Sequence, residues 1–155
     1  MNKRIIAIDP GKAGAICVRE GSEIIDIVKM PETCADLRDH IEAVVSASAL
    51  DNIEVIAYLE QVSAMPGQGV TSMFTFGNQF GHLEQVLADF RVRTIKVRPQ
   101  AWQKALSLNS VKDKSKADHK RRLKDYAQQL FPSVKVTSVN QDALLISEYA
   151  IRNEL

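Results

Sequence analysis

Three carboxylates lie at the ends of predicted secondary-structure elements, where side chains leave the core. Asp9 ends an apolar strand, Glu60 ends a second, β-branched strand, and Asp142 lies in the first turn of the last helix. If the second strand lies parallel to the first after a right-handed crossover, Asp9 and Glu60 emerge at the same sheet edge. Converging carboxylates repel one another unless a cation lies between them, and hard oxygen ligands suit Mg²⁺ or Mn²⁺. The pattern therefore predicts a divalent metal site made of Asp9, Glu60 and Asp142.

Each of these acids also has an ordinary structural explanation. Asp9 precedes Pro-Gly and can be a turn residue, Glu60 can be a solvated acid, and Asp142 can be a helix N-cap. The three acids occur together in a matching order of strands and helices, and this combination favours a catalytic metal site over three separate structural roles. Metal-bound carboxylates of this kind support phosphodiester hydrolysis, in which two ions about 4 Å apart activate water and stabilise the leaving oxygen.

The elements that position these acids are predicted from hydrophobic periodicity and turn residues. Strands are expected at 4–9, 15–19, 23–29, 53–59 and 93–97. Helices are expected at 35–50, from Thr71 or Ser72 to about 89, and at 99–106, 116–130 and 140–153. The order predicts an α/β fold with a five-stranded mixed sheet, three antiparallel strands followed by parallel ones, and helices on both faces.

The composition is that of a soluble globular protein. The 155 residues are 45% hydrophobic and 25% charged, which favours a single domain over residues 1–155. No apolar run is long enough for a membrane span or a signal peptide, and two cysteines suit a reducing compartment. A cytoplasmic location is therefore expected.

Charge is distributed unevenly along the chain. Residues 91–124 contain 12 Lys and Arg against 2 acids, a net charge of +10, whereas the other 121 residues carry a net −9. We call residues 91–124 the basic segment. Such a block is typical either of a nucleic-acid-binding surface or of a solvated face, and composition alone leaves both open.

Several short motifs resemble the RuvC-type Holliday-junction resolvases. They are Ile8-Asp9-Pro10-Gly11, Leu59-Glu60-Gln61-Val62 and Asp142-Ala143-Leu144, and the element order is similar to the RNase H-like fold of that family. Residues 97–102 are similar to phage and other viral members. The resemblance implies a homodimeric, Mg²⁺-dependent endonuclease, with Mn²⁺ as a substitute, that makes paired nicks in four-way DNA junctions.

The sequence departs from that family in two places. In that family a fourth acid usually lies about one helical turn before the last aspartate, where this chain has Ser138 and Val139, so the second metal site is left open. Asn140 or Gln141 can hold a metal-bound water there, or can stand where a carboxylate was removed by engineering. The family also places an aromatic wedge shortly after the glutamate. That position is Ser63 here, and the nearby Met65 is the candidate apolar wedge.

The resemblance also assigns roles within the basic segment. Asp113-Lys114-Ser115 is similar to a stretch of bacterial members in which a lysine supports catalysis, which implies Lys114 as the charge-stabilising residue, with Lys104 as second choice. The other basic side chains would contact DNA phosphates. The expected DNA contacts are Met65, Trp102, Lys104, Lys112, Lys116, Lys120, Arg121 and Lys124.

Other functions stay open at this point. The missing fourth acid is compatible with a catalytically inactive protein that binds junctions or branched DNA. The fold is compatible with an RNase H-like nuclease that acts on RNA–DNA hybrids or other branched substrates. An actin-like nucleotide-binding protein is disfavoured because it needs two related domains, and no P-loop pattern is present.

Overall fold

The computed structural model describes residues 2–109 and 113–154. The five strands are β1 (Lys3–Asp9), β2 (Ala15–Glu20), β3 (Glu23–Lys29), β4 (Glu54–Glu60) and β5 (Arg93–Val97). The five helices are α1 (Cys34–Leu50), α2 (Val70–Asp89), α3 (Pro99–Ala105), α4 (Lys116–Leu130) and α5 (Gln141–Glu154). Every predicted element is present, and most boundaries lie within one or two residues of the prediction.

A single mixed sheet carries the strands in the order β3-β2-β1-β4-β5. β1 pairs antiparallel with β2, and β2 pairs antiparallel with β3, whereas β1–β4 and β4–β5 are parallel. Ile8 lies opposite Leu59 in the parallel register, so the next residues, Asp9 and Glu60, leave the sheet side by side. The predicted α/β fold and its mixed sheet are confirmed.

Helices cover both faces of this sheet. Because side chains alternate along a strand, Ile5 and Ala7 of β1 face the core formed with α3, α4 and α5. Ile6 and Ile8 face the opposite core, which α1 and α2 complete. Asp9 continues the series of Ile5 and Ala7, and its side chain is therefore directed to the layer that contains α5.

The start of α2 differs from the prediction of a Thr71 or Ser72 cap. The N-cap is Gly69, which has extended backbone angles and makes no side-chain capping bond. Its carbonyl accepts a hydrogen bond from the Met73 N–H at 3.0 Å. The helix therefore begins earlier, because a glycine turn rather than a hydroxyl starts it. By contrast, Ser115 caps α4 as predicted, accepting from the Asp118 N–H.

Within the described ranges, no helix combines the length and the apolar character needed to cross a bilayer.

Candidate active site

Asp9 is held at the end of β1 by a tight glycine turn. Gly11 has a φ of +101°, and the Gly14 N–H donates to its carbonyl at 3.0 Å. A Cβ placed on Gly14 would lie 1.9 Å from the Asp9 carbonyl oxygen, which no side chain can accommodate. The close approach fixes the Asp9 backbone at the point where the strand ends.

Glu60 is held by Trp102, a residue of α3. The Trp102 indole Nε1 donates to Glu60 Oε2 at 2.6 Å, and the indole has no exposed surface. The prediction that Trp102 contacts DNA is therefore wrong, because the ring fills the core beneath the site and its only polar atom is committed to Glu60. No motif in the sequence indicates this orienting role.

Asp142 lies in the first turn of α5. The helix begins at Gln141, so Asp142 is inside the helix and is not its N-cap. The Gln141 Nε2 donates to Asp142 Oδ1 at 3.3 Å. A carboxylate in the first helical turn is favoured by the helix dipole, but it remains available to a ligand in front of the helix.

Together Asp9, Glu60 and Asp142 form one electrostatic unit, which we call the acidic site. Burial raises the pKa of Asp9 to about 8, with further increases from Asp142 and Glu60. Burial also raises the pKa of Glu60 to about 7, helped by Asp142 and opposed by the Trp102 hydrogen bond. Burial raises the pKa of Asp142 as well, against the hydrogen bond from Gln141. Because three buried carboxylates repel one another, the site favours a bound cation.

The donor set has the chemistry of a hard-cation site, since it consists only of carboxylate oxygens. In the conformation observed, however, the described ranges contain no group of three or more His, Cys, Asp or Glu side chains arranged to hold a metal ion. One oxygen of Glu60 is turned towards Trp102. The residues therefore fit a divalent cation chemically, although their side chains do not form a closed ligand set.

Two residues of α4 act on the acidic site. Lys120 lowers the pKa of both Asp9 and Asp142, and His119 lowers that of Asp142. Lys114 and Lys104, the predicted catalytic lysines, are exposed. The sequence predicts only a DNA contact for Lys120, and no motif marks its nearness to the acids, which comes from the packing of α4 on α5.

A second polar network links the start of α4 to α3. Arg122 binds both Asp113 oxygens, at 2.9 and 2.7 Å, and His119 Nδ1 lies 2.7 Å from Asp113 Oδ2. The other His119 nitrogen lies 3.2 Å from Gln103 Oε1. Arg122, followed by His119, lowers the pKa of Asp113 to about 2. The network anchors the residue that precedes Lys114.

The remaining predicted DNA contacts lie at the surface. Met65 is 64% exposed and sits in a turn in which Gly67 has a φ of +84°. Its N–H donates to Gln68 Oε1 at 2.9 Å. Lys112 lies outside the described residues. The exposed basic residues whose DNA contacts stay predictions are Lys104, Lys116, Lys120, Arg121 and Lys124.

Comparison with known proteins agrees with this architecture. No protein-family model matches the chain, and no curated protein sequence matches it. Among solved structures, the fold of this chain is similar to that of RuvC structures. The Thermus thermophilus RuvC structure matches with a TM-score of 0.61 and 16% identity over 97% of this chain and 95% of that chain. T. thermophilus RuvC in complex with Holliday junction substrate matches with a TM-score of 0.60 and 14% identity over 98% and 95%.

Proposed function

We propose that this protein is a Mg²⁺-dependent endonuclease that resolves four-way DNA junctions by paired nicks. The observation that supports the proposal is that Asp9 and Glu60 end neighbouring parallel strands and that Asp142 raises the pKa of both. The fold that carries these acids is similar to that of RuvC. A second RuvC structure with this fold holds Holliday junction substrate. The motif at residues 97–102 supports a phage member acting in the cytoplasm of an infected bacterium.

The three carboxylates would hold the cation between them. When bound, a divalent ion polarises the phosphoryl oxygen and activates water for attack on phosphorus. Trp102 keeps Glu60 oriented through its indole hydrogen bond, and the Gly14 turn keeps Asp9 at the strand end. Lys114, from the resemblance, would stabilise the charge that develops on the phosphate.

Junction binding would come from the basic segment and from the turn that carries Met65. Phosphate contacts need no base recognition, which suits a substrate defined by its shape. Met65 is an exposed apolar side chain on a short turn, as an inserting wedge requires. Lys104, Lys116, Lys120, Arg121 and Lys124 would bind the backbone.

A homodimer is proposed from the outer face of α2. Helical spacing predicts surplus apolar surface on this helix at Phe76, Phe80 and Leu83. Leu83 is buried instead, and the surplus lies at Val70 and Phe74, which are 87% and 77% exposed. A Cβ added to Gly77 or Gly81 would have no neighbour within 4 Å, so nothing in the described part of the chain explains two glycines there.

A second copy packed on this face would explain both features. We expect a dimer by sedimentation velocity at micromolar concentration and a monomer for Phe74→Glu. A wild-type protein that sediments as a monomer would contradict the dimer proposal.

One specific observation favours the second candidate, a junction-binding protein without catalysis. Position 139 holds a valine, so a second metal ion would lack a carboxylate ligand there. Such a protein would keep the basic surface and the fold but would lack turnover.

A panel of labelled substrates separates the candidates. A four-way junction, an RNA–DNA hybrid, a flap and a linear duplex are each incubated with Mg²⁺, Mn²⁺ or EDTA. We expect junction cleavage with either metal and none with EDTA. Preferential cleavage of the hybrid or flap would indicate a different RNase H-like nuclease, and tight junction binding without cleavage would indicate the inactive candidate.

A further inference from the structure

The guanidinium of Arg122 joins two parts of the chain that lie on either side of residues 110–112. Its Nε and Nη2 donate to the two carboxylate oxygens of Asp113, at 2.9 and 2.7 Å. The same Nη2 donates to the carbonyl oxygens of Leu108 and Asn109, at 3.1 and 2.6 Å. Arg122 therefore holds the residues that follow α3 next to Asp113. We call these four contacts of Arg122 the Arg122 clamp.

The carboxylate of Asp113 is nearly buried and paired on both oxygens. Its side chain is 9% exposed, and His119 Nδ1 lies 2.7 Å from the oxygen that Arg122 Nη2 also binds. A planar guanidinium with two N–H donors fixes the orientation of a carboxylate, which a lysine ammonium does not do. The neighbouring Arg121 is different, because its side chain is 73% exposed and pairs with Asp118 at the surface. Arg122 is thus a basic residue whose donors are directed inside the molecule.

Lys114 lies between two residues that the structure holds in place. Asp113 precedes it and is bound by the Arg122 clamp. Ser115 follows it and caps α4, because its Oγ accepts from the Asp118 N–H at 3.1 Å. Consecutive Cα atoms are about 3.8 Å apart, so fixing these two neighbours fixes the backbone of Lys114. The Lys114 side chain is exposed, and its position therefore depends on the backbone that carries it.

The Arg122 clamp is also linked to the acidic site through α4. His119, which contacts Asp113, directly precedes Lys120. The Lys120 carbonyl accepts from Gln141 Nε2 at 3.3 Å, and the same nitrogen donates to Asp142 Oδ1 at 3.3 Å. Gln141 is buried, so this bridge is shielded from water. Hydrogen bonds and one peptide unit of α4 therefore connect the clamp to a carboxylate of the acidic site.

We propose that Arg122 is a positioning residue for cleavage, which acts through Asp113 to hold Lys114 where it meets the scissile phosphate. The inference rests on the proposed function, in which Lys114 stabilises the charge that develops on the phosphate. Such stabilisation requires the donor to be in place before the reaction, and a displacement of about 1 Å can cost about 10²-fold in rate. Arg122 itself touches neither the substrate nor the metal.

The competing explanation is that the Arg122 clamp only stabilises the fold. Breaking the clamp lowers stability under either explanation, so stability does not separate them. They differ in how Arg122 and Lys114 combine. If Arg122 acts through Lys114, breaking the clamp has no further effect on the cleavage rate once the Lys114 charge is gone. If the two residues act independently, their effects on the rate multiply.

The experiment is a double-mutant cycle of Arg122→Gln and Lys114→Met on single-turnover cleavage of a four-way junction in Mg²⁺. Protein is in saturating excess, so that the rate does not report weaker binding. We expect Arg122→Gln to cleave about 10- to 100-fold more slowly than the wild type. The double variant should match Lys114→Met within about twofold.

Arg38→Gln is the matched control for the loss of an arginine–aspartate pair. Arg38 of α1 binds Asp89 of α2 at 2.6 Å, so it also joins two elements, and it belongs to neither the acidic site nor the basic segment. We expect wild-type cleavage by this variant. If Arg122→Gln does not fold, Asp113→Asn breaks the clamp from its other side and should show the same coupling to Lys114→Met.

The backbone amide of Lys114 gives a second measurement, which does not depend on cleavage. Its order parameter is obtained from ¹⁵N relaxation of the protein without DNA. We expect a value of about 0.85 in the wild type and in Arg38→Gln, as for ordered backbone, and a value below about 0.6 in Arg122→Gln. The change should be confined to the residues next to the clamp.

Multiplying effects of Arg122→Gln and Lys114→Met would overturn the proposal, as would an unchanged order parameter of Lys114 in Arg122→Gln. Equal slowing of cleavage by Arg38→Gln and Arg122→Gln would also overturn it, because a general loss of stability would then explain both. Absence of cleavage by the wild type would overturn the nuclease function and with it the role of Arg122 in cleavage. The order parameters would then still decide whether Arg122 holds Lys114 in place.

Discussion

At the scale of single residues, Trp102 combines two tasks that are usually separate. Its ring occupies the core between β4 and the helices, and its indole nitrogen orients Glu60. A fully buried side chain therefore controls the direction of a carboxylate that is proposed to bind the cation. Changing it affects folding and the site together, so a test needs a control that changes folding alone.

Trp102→Phe should separate the hydrogen bond from the ring. Loss of a bond to an ionised acceptor costs about 1.5–3 kcal/mol of unfolding free energy, and the pKa of Glu60 should rise further because the indole bond lowers it. Stability is measured by urea unfolding followed by circular dichroism. Tryptophan fluorescence is not suitable, because the variant lacks the single tryptophan of the chain. Cleavage should also fall, because Glu60 is freed from its orientation.

Tyr58→Phe provides the matched control for this variant. It removes a hydrogen bond of 2.8 Å to Glu154 at the other end of the sheet. We expect a loss of stability with cleavage unchanged. Wild-type cleavage by Trp102→Phe would show that the indole bond does not serve the site.

The carboxylates also predict an unusual pH dependence of stability. The pKa of Asp9 in the folded protein is about 8, above the ordinary 3.8, so between these values the folded state binds more protons than the unfolded state. In EDTA, the stability that this group contributes is complete below about pH 4 and is lost as the pH rises to about 8. Asp9→Asn should flatten this decline, as measured by urea unfolding at several pH values. If the stability of Asp9→Asn declines with rising pH as it does in the wild type, groups other than Asp9 cause the decline.

The acids were predictable because their positions follow from where strands end. The contacts of Trp102, Gln141 and Lys120 were not, because they depend on how α3, α4 and α5 pack over the sheet. A basic residue in a basic segment gives no indication of which neighbour faces an acid. The convergence of the three acids was thus predictable from the sequence, whereas the residues that orient them were not, and the role of the acids as metal ligands stays a prediction.

At the scale of elements, the turn between β1 and β2 most directly determines the position of the acidic site, because it holds the backbone of Asp9. Strand and helix order were predictable from hydrophobic periodicity, because β1 and β4 are short apolar runs and the helices repeat at helical spacing. The start of α2 was not, since the helix is begun by Gly69 and not by the hydroxyl residues that usually mark an N-cap.

Gly14→Ala should disrupt this turn. The added Cβ would lie 1.9 Å from the Asp9 carbonyl oxygen, so the backbone that carries Asp9 must move. We expect a loss of more than about 2 kcal/mol in unfolding free energy, and, in any folded fraction, loss of cleavage. Gly21→Ala is the control, because Gly21 has a φ of +55° in open space and should cost only about 1 kcal/mol. Equal effects of the two variants would contradict the importance of the tight turn.

At the scale of the whole molecule, an acidic body carries a strongly basic segment. The segment has a net charge of +10 and the remainder −9. Attraction to DNA should therefore come mainly from α4 and the residues near it. Helical spacing groups Lys116, Lys120 and Arg121 on one face of α4, but Arg121 pairs with Asp118 at 2.9 Å and Lys120 acts on the acidic site.

Lys116 and Lys124 are the better pair for testing this surface. Both are exposed, and within the described ranges neither forms an ion pair. Each phosphate contact contributes about −0.9 to the slope of log affinity against log salt, so the double alanine variant should flatten that slope by about two. Binding to junction and duplex should weaken alike, as measured by fluorescence anisotropy at several salt concentrations. An unchanged salt slope would indicate that the DNA does not contact Lys116 and Lys124.

The most direct test of the central claim is single-turnover cleavage of an end-labelled four-way junction in Mg²⁺ by wild type and Asp9→Asn, with binding measured in parallel. We expect paired, symmetric nicks by the wild type. We expect no detectable cleavage by Asp9→Asn, with binding equal or tighter because a negative charge near phosphate is removed. Wild-type cleavage by Asp9→Asn would contradict the assignment of the acidic site, and absence of nicks by the wild type would contradict the proposed function.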